Sequence, residues 1–201
     1  MSAQKTVNWI RIGLFALPLS GVLLAWSSLE PQPDQTKDPE AWARFVGSGY
    51  YLLTHVFGSA GSAILAIFGV FALGAYLSGG RAGRLGLVAM IVTVIGQALS
   101  LVIGGVSTFA LNAIGRAYLA GTKDVMKLQF SAAMSVLFGL VLLLLVLGNV
   151  LLGVAVWRSE TLPKWAGAIW VASALLFYVL GAVLGMATTG SSLLTQPVGG
   201  C

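Results

Sequence analysis

Five long apolar stretches dominate the pattern of hydrophobic and polar positions along the chain. A helix that crosses the hydrocarbon core of a bilayer needs about 20 apolar residues, at a rise of about 1.5 Å each. Each stretch has about that length, and none carries Asp, Glu, Lys or Arg near its middle. The pattern predicts an all-α fold, a multi-pass transmembrane helix bundle that forms one domain over residues 1–201. The predicted spans are residues 10–28, 50–78, 85–109, 129–157 and 165–188.

The first apolar stretch has some features of a secretory signal peptide, because Lys5 and Arg11 give a basic start to a short apolar core. The residues that follow, SSLEPQ, make a poor small-residue cleavage site. We therefore predict that this stretch is an anchoring span, bent at Pro18.

The composition excludes a soluble protein. The chain of 201 residues is 58% hydrophobic and only 8% charged, whereas a soluble domain contains about 25% charged residues. Its mean hydropathy is +0.94, so the lipid bilayer must surround most of it. The net charge of +5 comes from basic residues scattered over the predicted loops. Such residues favour contact with anionic lipid over nucleic acid, for which a basic patch is expected.

The loop charges predict an orientation in the membrane. With the N-terminus inside, the short inner segments hold six basic residues and one acid, Glu160, and the longer outer segments hold five of each. Basic residues in short loops favour the cytoplasmic side. The pattern resembles that of many small bacterial membrane proteins of unknown function. We therefore predict an integral protein of the bacterial inner (plasma) membrane, with a cytoplasmic N-terminus and an outside C-terminus.

The polar residues 29–49 form a predicted outer loop that contains a helix start. Asp38 fits the N-cap, Pro39 the first helical position and Glu40 the first turn. The apolar residues that follow share one helical face: Trp42, Phe45 and Val46. We favour an outer extension of span two, and the alternative is a short helix in the membrane interface.

The chain also contains a possible parallel duplication of a helical hairpin, spans two and three against spans four and five. Each unit is a helix, a short basic loop and a helix, and similar Gly-rich apolar hairpins are the alternative explanation. The residues that match at an offset of 79 or 80 are Gly69 and Gly148, Gly74 and Gly153, and Arg84 and Lys164.

Small residues within the spans predict close helix packing, since backbones approach closely only where side chains are small. Gly58, Ser62 and Ala66 form one small-residue face on span two, and Gly181 and Gly185 form a GxxxG match on span five. We favour packing within the bundle. The alternative is a surface for a partner membrane subunit or a homo-oligomer.

Four polar residues are candidate ligand-binding positions: His55, Gln97, Asn149 and Tyr178. Gln97 and Tyr178 have similar predicted depths, so they can hydrogen-bond if spans three and five touch. His55 is the only histidine, which excludes bis-histidine haem ligation. We interpret it as an interfacial side chain hydrogen-bonded to a neighbouring helix or to headgroups. Weaker alternatives are a His/Met haem site, a zinc site with acids of the outer loop, and an outer-face enzyme.

No recognisable catalytic motif, phosphate loop or metal-binding motif occurs in the chain. Pumps, proton-coupled carriers and voltage sensors carry charged groups at depth, and these spans do not. We predict no cofactor, no metal and no catalytic residue. The glycine-rich residues 79–84 predict a tight turn, with lipid headgroup contact as the functional interpretation. Cys201, the single cysteine, excludes an intrachain disulfide.

The sequence therefore favours a non-enzymatic subunit or accessory protein of a membrane complex. The alternative is a carrier or binder of a neutral or lipophilic small molecule or lipid, built around the four polar positions. An outer-face enzyme that uses His55 is the third hypothesis.

Overall fold

A computed structural model describes residues 3–127 and 132–180. Within these ranges the protein is built from helices and short connections, and no strand occurs in them. The α-helices are α1 (Ala3–Ser27), α2 (Pro39–Val46), α3 (Gly49–Leu53), α4 (Gly61–Ser78), α5 (Gly83–Leu119), α6 (Ala132–Arg158) and α7 (Lys164–Leu175). The π-helical segment Thr54–Ala60 joins α3 to α4, the π-helical segment Leu176–Leu180 continues α7, and Lys123–Lys127 forms a 3₁₀ turn.

The prediction of an all-α membrane bundle is confirmed. Four apolar segments are long enough to cross a bilayer: Trp9–Ser27, Gly49–Ser78, Gly83–Leu119 and Ala133–Arg158. A shorter apolar segment, Lys164–Tyr178, is the described part of the predicted fifth span. Residues 181–188, with Gly181 and Gly185, and the tail that ends at Cys201 lie outside the described residues. The chain is an integral membrane protein.

The long helices pack in chain order. Helix α1 lies against α4, α4 against α5, α5 against α6, and α6 against α7. Pro18 lies inside α1, and the helix is continuous on both sides of it. The largest buried apolar cluster joins α4, α5 and α6, and its members include Leu73, Leu77, Ala89 and Leu152.

The two ends of the bundle differ in their connections. At one end, which we call the loop side, residues 79–82 join α4 to α5 and residues 159–163 join α6 to α7. At the opposite end, which we call the cap side, α2, α3 and residues 123–127 contact α5. Helix α5 has 37 residues and is therefore about 55 Å long, much longer than a hydrocarbon core of about 30 Å. It continues ten residues beyond its predicted end at residue 109, and these residues support the cap.

The cap corrects the prediction for residues 39–46. The helix start at Asp38 is confirmed, because its carboxylate accepts a 2.8 Å hydrogen bond from the Ala41 amide. Helix α2 nevertheless ends at Gly47, and Ser48 caps the separate helix α3. The favoured extension of span two is therefore wrong. The buried residues Trp42 and Val46 pack on the protein, beside Leu111, Ile114 and Tyr118 of α5, and not on lipid.

Two polar side chains of α5 fix the turn between α2 and α3. The buried Asn112 amide donates to the Val46 carbonyl at 2.6 Å and to the Ser48 carbonyl at 3.3 Å. The Arg116 Nε donates to the Gly47 carbonyl at 3.2 Å. The Val46 and Gly47 carbonyls lie at the C-terminal end of α2, where no intrahelical donor reaches them. The hydrogen bonds therefore hold the turn against α5.

The matched glycines of the predicted duplication make equivalent contacts. A Cβ at Gly69 would lie 2.5 Å from Leu17 Cγ of α1, and one at Gly148 would lie 2.5 Å from Thr93 Oγ1 of α5. In each unit this first glycine faces the preceding long helix. The second glycine faces the following helix: Gly74 contacts Met90 of α5, and Gly153 contacts Val171 and Gly167 of α7. These equivalent contacts support the duplication.

The small-residue face of span two packs inside the bundle at Gly58. A Cβ there would lie 2.7 Å from Ser27 Cβ and 3.2 Å from the Leu23 carbonyl oxygen, both in α1. Ser62 is buried and Ala66 is half-buried. Close approach of α1 thus accounts for the glycine.

Candidate functional site

His55 lies in the π-helical segment near the cap side. Its Nδ1 is 3.0 Å from the Tyr51 carbonyl oxygen, one turn earlier, and its ring stacks on the buried Tyr51 ring with centroids 4.0 Å apart. This contact is made to α3, one turn earlier along the chain, and a hydrogen bond from His55 to a neighbouring helix or to headgroups stays a prediction. Such π-helical segments are rare and occur frequently at functional sites.

The contact of His55 Nδ1 with a carbonyl oxygen favours the neutral tautomer that carries its proton on Nδ1. A carbonyl oxygen only accepts, so Nδ1 donates, and the neutral ring keeps a lone pair on Nε2. In the part of the chain that the structure describes, no hydrogen bond is made to Nε2. Within that part, no group of three or more His, Cys, Asp or Glu is placed to hold a metal ion. His55 thus presents a single acceptor atom.

The acids of the predicted outer loop have local partners. The Thr36 hydroxyl donates to Asp34 Oδ1 at 2.6 Å, and this bond, with those from the Thr36 and Lys37 amides, lowers the pKa of Asp34. Asp38 caps α2. Glu40 pairs with Arg44 at 2.9 Å. These carboxylates shape the cap, and the structure does not bring them together around His55.

Gln97 and Tyr178 face each other between α5 and the second π-helical segment. The Gln97 side chain is within hydrogen-bonding reach of the Tyr178 hydroxyl, as the predicted depths required. The Tyr178 ring packs against the buried cluster of Ile103, Val141 and Leu145. Contact between two neutral polar side chains is favourable at a depth where the bilayer offers no water.

Asn149 forms a separate pair with Trp170. Its Oδ1 accepts from Trp170 Nε1 at 3.0 Å, and its Nδ2 donates to the Leu145 carbonyl at 2.8 Å. Sequence reasoning missed Trp170, although an indole N–H in a span needs an acceptor. Asn149 and Trp170 lie at similar distances from the connection at residues 159–163, so antiparallel packing of α6 and α7 places them side by side. The four candidate residues therefore lie in three separate places.

We expect Asn149→Leu and Trp170→Phe to be non-additive in stability, because both substitutions remove the same hydrogen bond. The coupling free energy should be about 1 kcal/mol, as for other hydrogen bonds between transmembrane helices. A double-mutant cycle of unfolding in mixed micelles measures it. Gln97→Leu combined with Trp170→Phe is the control and should be additive. A coupling near zero for Asn149 and Trp170 would contradict the role of this bond.

A basic concavity lies at the loop side, and we call it the loop-side basin. Its larger part is an open cavity of about 690 Å³, which is lined by Ser78, residues 80–85, Leu87 and Arg158. An adjoining cavity of about 400 Å³ shares Arg81 and Arg158 and adds Trp157, Glu160 and Lys164. The basin therefore joins the first hairpin connection to the second.

An ion pair connects the two sides of the basin. Arg81 Nη1 donates to Glu160 Oε1 at 2.7 Å. Glu160 has a φ of 57°, in the left-handed region that residues other than glycine rarely adopt. The sequence predicted a tight turn at residues 79–84 but did not show that residues 157–164 complete the concavity. The equivalent positions of Arg84 and Lys164 in the predicted duplication were the available signal.

Comparison with known proteins identifies a family whose function is unknown. A family model described as "Domain of unknown function (DUF4386)" matches residues 14–199. No curated protein and no solved structure matches the chain. The matched range covers every helix after α1 and about half of α1 itself, which includes both hairpins and the cap. The chain therefore belongs to the DUF4386 family.

Proposed function

We propose that this protein is a non-enzymatic subunit or accessory protein of a membrane complex. The observation that carries the proposal is that its deep polar side chains are engaged inside the bundle. Asn149 accepts a hydrogen bond from Trp170, and Gln97 lies within hydrogen-bonding reach of Tyr178. Polar groups used in this way contribute to packing and leave few hydrogen-bonding atoms for chemistry.

The lipid-facing surface supports the same proposal. Phe68, Phe109 and Phe138 point large exposed side chains away from the bundle. Gly104 and Gly139 lie within α5 and α6, and no atom lies within 4 Å of a Cβ built at either of them. A partner helix can approach closely at such glycines, as α5 approaches α6 at Gly148.

The orientation belongs to this proposal as well. The loop side carries Arg81, Arg84, Arg158 and Lys164 in two short connections or next to them. Short basic loops favour the cytoplasm. The proposed location is the bacterial inner membrane, with the loop side and the N-terminus in the cytoplasm and the C-terminus outside.

Native mass spectrometry after mild extraction from the source membrane tests the proposal. We expect a stoichiometric protein partner bound to the chain. Gly104→Leu and Gly139→Leu should weaken this complex without unfolding the chain, because both sites are open. Gly21→Leu on α1, where the structure is also open, is the matched control. A chain that is always extracted alone would contradict the proposal.

A second candidate function is the binding of a neutral or lipophilic small molecule at His55. The observation in its favour is the unoccupied Nε2 acceptor of His55, held in a π-helical segment. The same spectra test it, since a bound ligand adds a discrete mass to the lone chain. His55→Phe retains an aromatic ring beside Tyr51 and removes Nε2, so it should abolish that mass. An unchanged ligand mass in this variant would exclude His55 as the binding group.

A further inference from the structure

We propose that the loop-side basin binds a phosphate group, supplied by the headgroup of an anionic phospholipid. The basin brings together cations from two hairpin connections that are far apart in sequence. Arg81 and Arg84 come from the first connection and the start of α5, and Arg158 and Lys164 come from the ends of α6 and α7. The proposal does not depend on the partner protein proposed above.

The charges of the basin are unbalanced. Four cations face one carboxylate, Glu160, and that carboxylate pairs with Arg81. Arg84, Arg158 and Lys164 form no ion pair with any residue in 3–127 or 132–180. Neighbouring cations repel each other, so an anion between them is favourable. Guanidinium groups bind phosphate oxygens through paired N–H donors, a geometry that suits the arginines here.

Glu160 links the two connections through its ion pair with Arg81. Its left-handed backbone conformation is costly for a residue with a side chain. In this conformation its carboxylate reaches Arg81, which lies 79 positions earlier in the chain. The ion pair therefore bridges the first connection and the second. The left-handed residue is therefore the one whose side chain bridges the two connections.

The surroundings of the basin favour a lipid over soluble phosphate. The basin lies at the ends of helices that span the membrane, where headgroups are found. Two exposed apolar side chains line it, Leu87 in the larger cavity and Trp157 in the smaller one. Tryptophan favours the membrane interface. A phospholipid can place its phosphate among the arginines and its glycerol and upper acyl chains on these two residues.

Lipid retention by the purified full-length protein tests the proposal. The protein is titrated in mixed micelles with phosphatidylglycerol or phosphatidylcholine, and bound lipid is counted by native mass spectrometry. We expect preferential retention of phosphatidylglycerol. The double variant Arg84→Gln, Arg158→Gln should bind it about tenfold more weakly, because each cation near a membrane surface contributes substantially to the attraction of anionic lipid.

Two control variants make the test specific. Arg44→Gln removes a cation from an exposed ion pair at the cap side and should leave lipid binding unchanged. The double variant Arg84→Lys, Arg158→Lys keeps both charges and should retain most of the binding, and its thermal unfolding shows whether changes at these positions preserve the fold.

Three outcomes would overturn the proposal. The first is equal retention of the two lipids by the wild-type protein. The second is unchanged affinity for phosphatidylglycerol in the folded Gln double variant. The third is displacement of phosphatidylglycerol by millimolar inorganic phosphate at constant ionic strength, which would assign the basin to free phosphate. Resistance to inorganic phosphate, together with the loss in the Gln double variant, supports the phospholipid.

Discussion

Gly148→Ala is expected to destabilise the bundle by about 3 kcal/mol, at the upper end of the usual range for overpacking a core. Gly148 is a point of close approach between α6 and α5. An added Cβ would lie 2.5 Å from Thr93 Oγ1 and 2.8 Å from both the backbone nitrogen and Cα of Thr93. Backbone atoms cannot rotate away as a side chain does. The two helices must therefore separate, and the contacts around them weaken.

Thr93 makes this site rigid. It is buried, and its hydroxyl donates to the Ala89 carbonyl at 2.8 Å. Unfolding in mixed micelles, followed by tryptophan fluorescence or far-UV circular dichroism, measures the loss of stability. Gly139→Ala on the same helix is the matched control, because no atom lies within 4 Å of its Cβ position. It should be neutral or slightly stabilising. Equal effects of the two substitutions would contradict the packing assigned to Gly148.

Gly69→Ala, the equivalent substitution in the first hairpin, should destabilise the bundle less than Gly148→Ala does. At Gly69 the nearest atoms belong to the Leu17 side chain, at 2.5 and 2.6 Å, and the nearest backbone atom, the Leu17 nitrogen, is at 3.2 Å. A leucine side chain can change rotamer. The matched glycines thus occupy equivalent positions, while the tolerance of each depends on its own neighbour.

Asn112→Leu is expected to loosen the cap at a cost of about 2 kcal/mol, because it leaves the Val46 carbonyl at the end of α2 without its donor. Asn112 is the buried side chain that donates to the carbonyls of Val46 and Ser48. Leucine has a similar volume and no N–H. Helices α2 and α3 should then separate from α5 more often, which exposes Trp42.

Hydrogen–deuterium exchange of residues 39–53 measures this opening directly. Exchange should increase there and remain unchanged in α6, which packs on α5 and α7. Arg116→Gln is the control, since it removes only an exposed 3.2 Å bond to the Gly47 carbonyl and should have a small effect. If exchange of residues 39–53 is unchanged in Asn112→Leu, this hydrogen-bonded turn does not stabilise the cap.

Local features of the sequence were sufficient for much of the fold. Length and hydropathy located the spans, since a membrane-crossing helix must satisfy its backbone hydrogen bonds and present apolar side chains to lipid. The start of α2 at Asp38 was predictable because its carboxylate bonds an amide three residues away. The predicted proximity of Gln97 and Tyr178 agrees with the structure, because depth in a bilayer follows from position within a span.

Features that depend on packing between distant segments were not predictable. Residues 39–46 have a helical pattern, but only Asn112 and the apolar residues of α5 turn them into a separate helix packed on the cap. The candidate positions His55, Gln97 and Asn149 looked alike as polar residues in apolar spans. Their neighbours differ. The Trp170 indole donates a hydrogen bond to the side-chain oxygen of Asn149, whereas Nε2 of His55 has no hydrogen-bond partner among the described residues.

The sequence by itself determined that this is an all-helical membrane protein, where most of its spans lie, and that its glycines permit close helix packing. Only the tertiary structure decided which glycines contact a helix, as Gly148 does, and which remain open, as Gly139 does. It also decided that Arg81 and Glu160 meet and join two connections into one basin. Hydropathy and capping act over a few residues, whereas these contacts depend on the order and depth at which the helices pack.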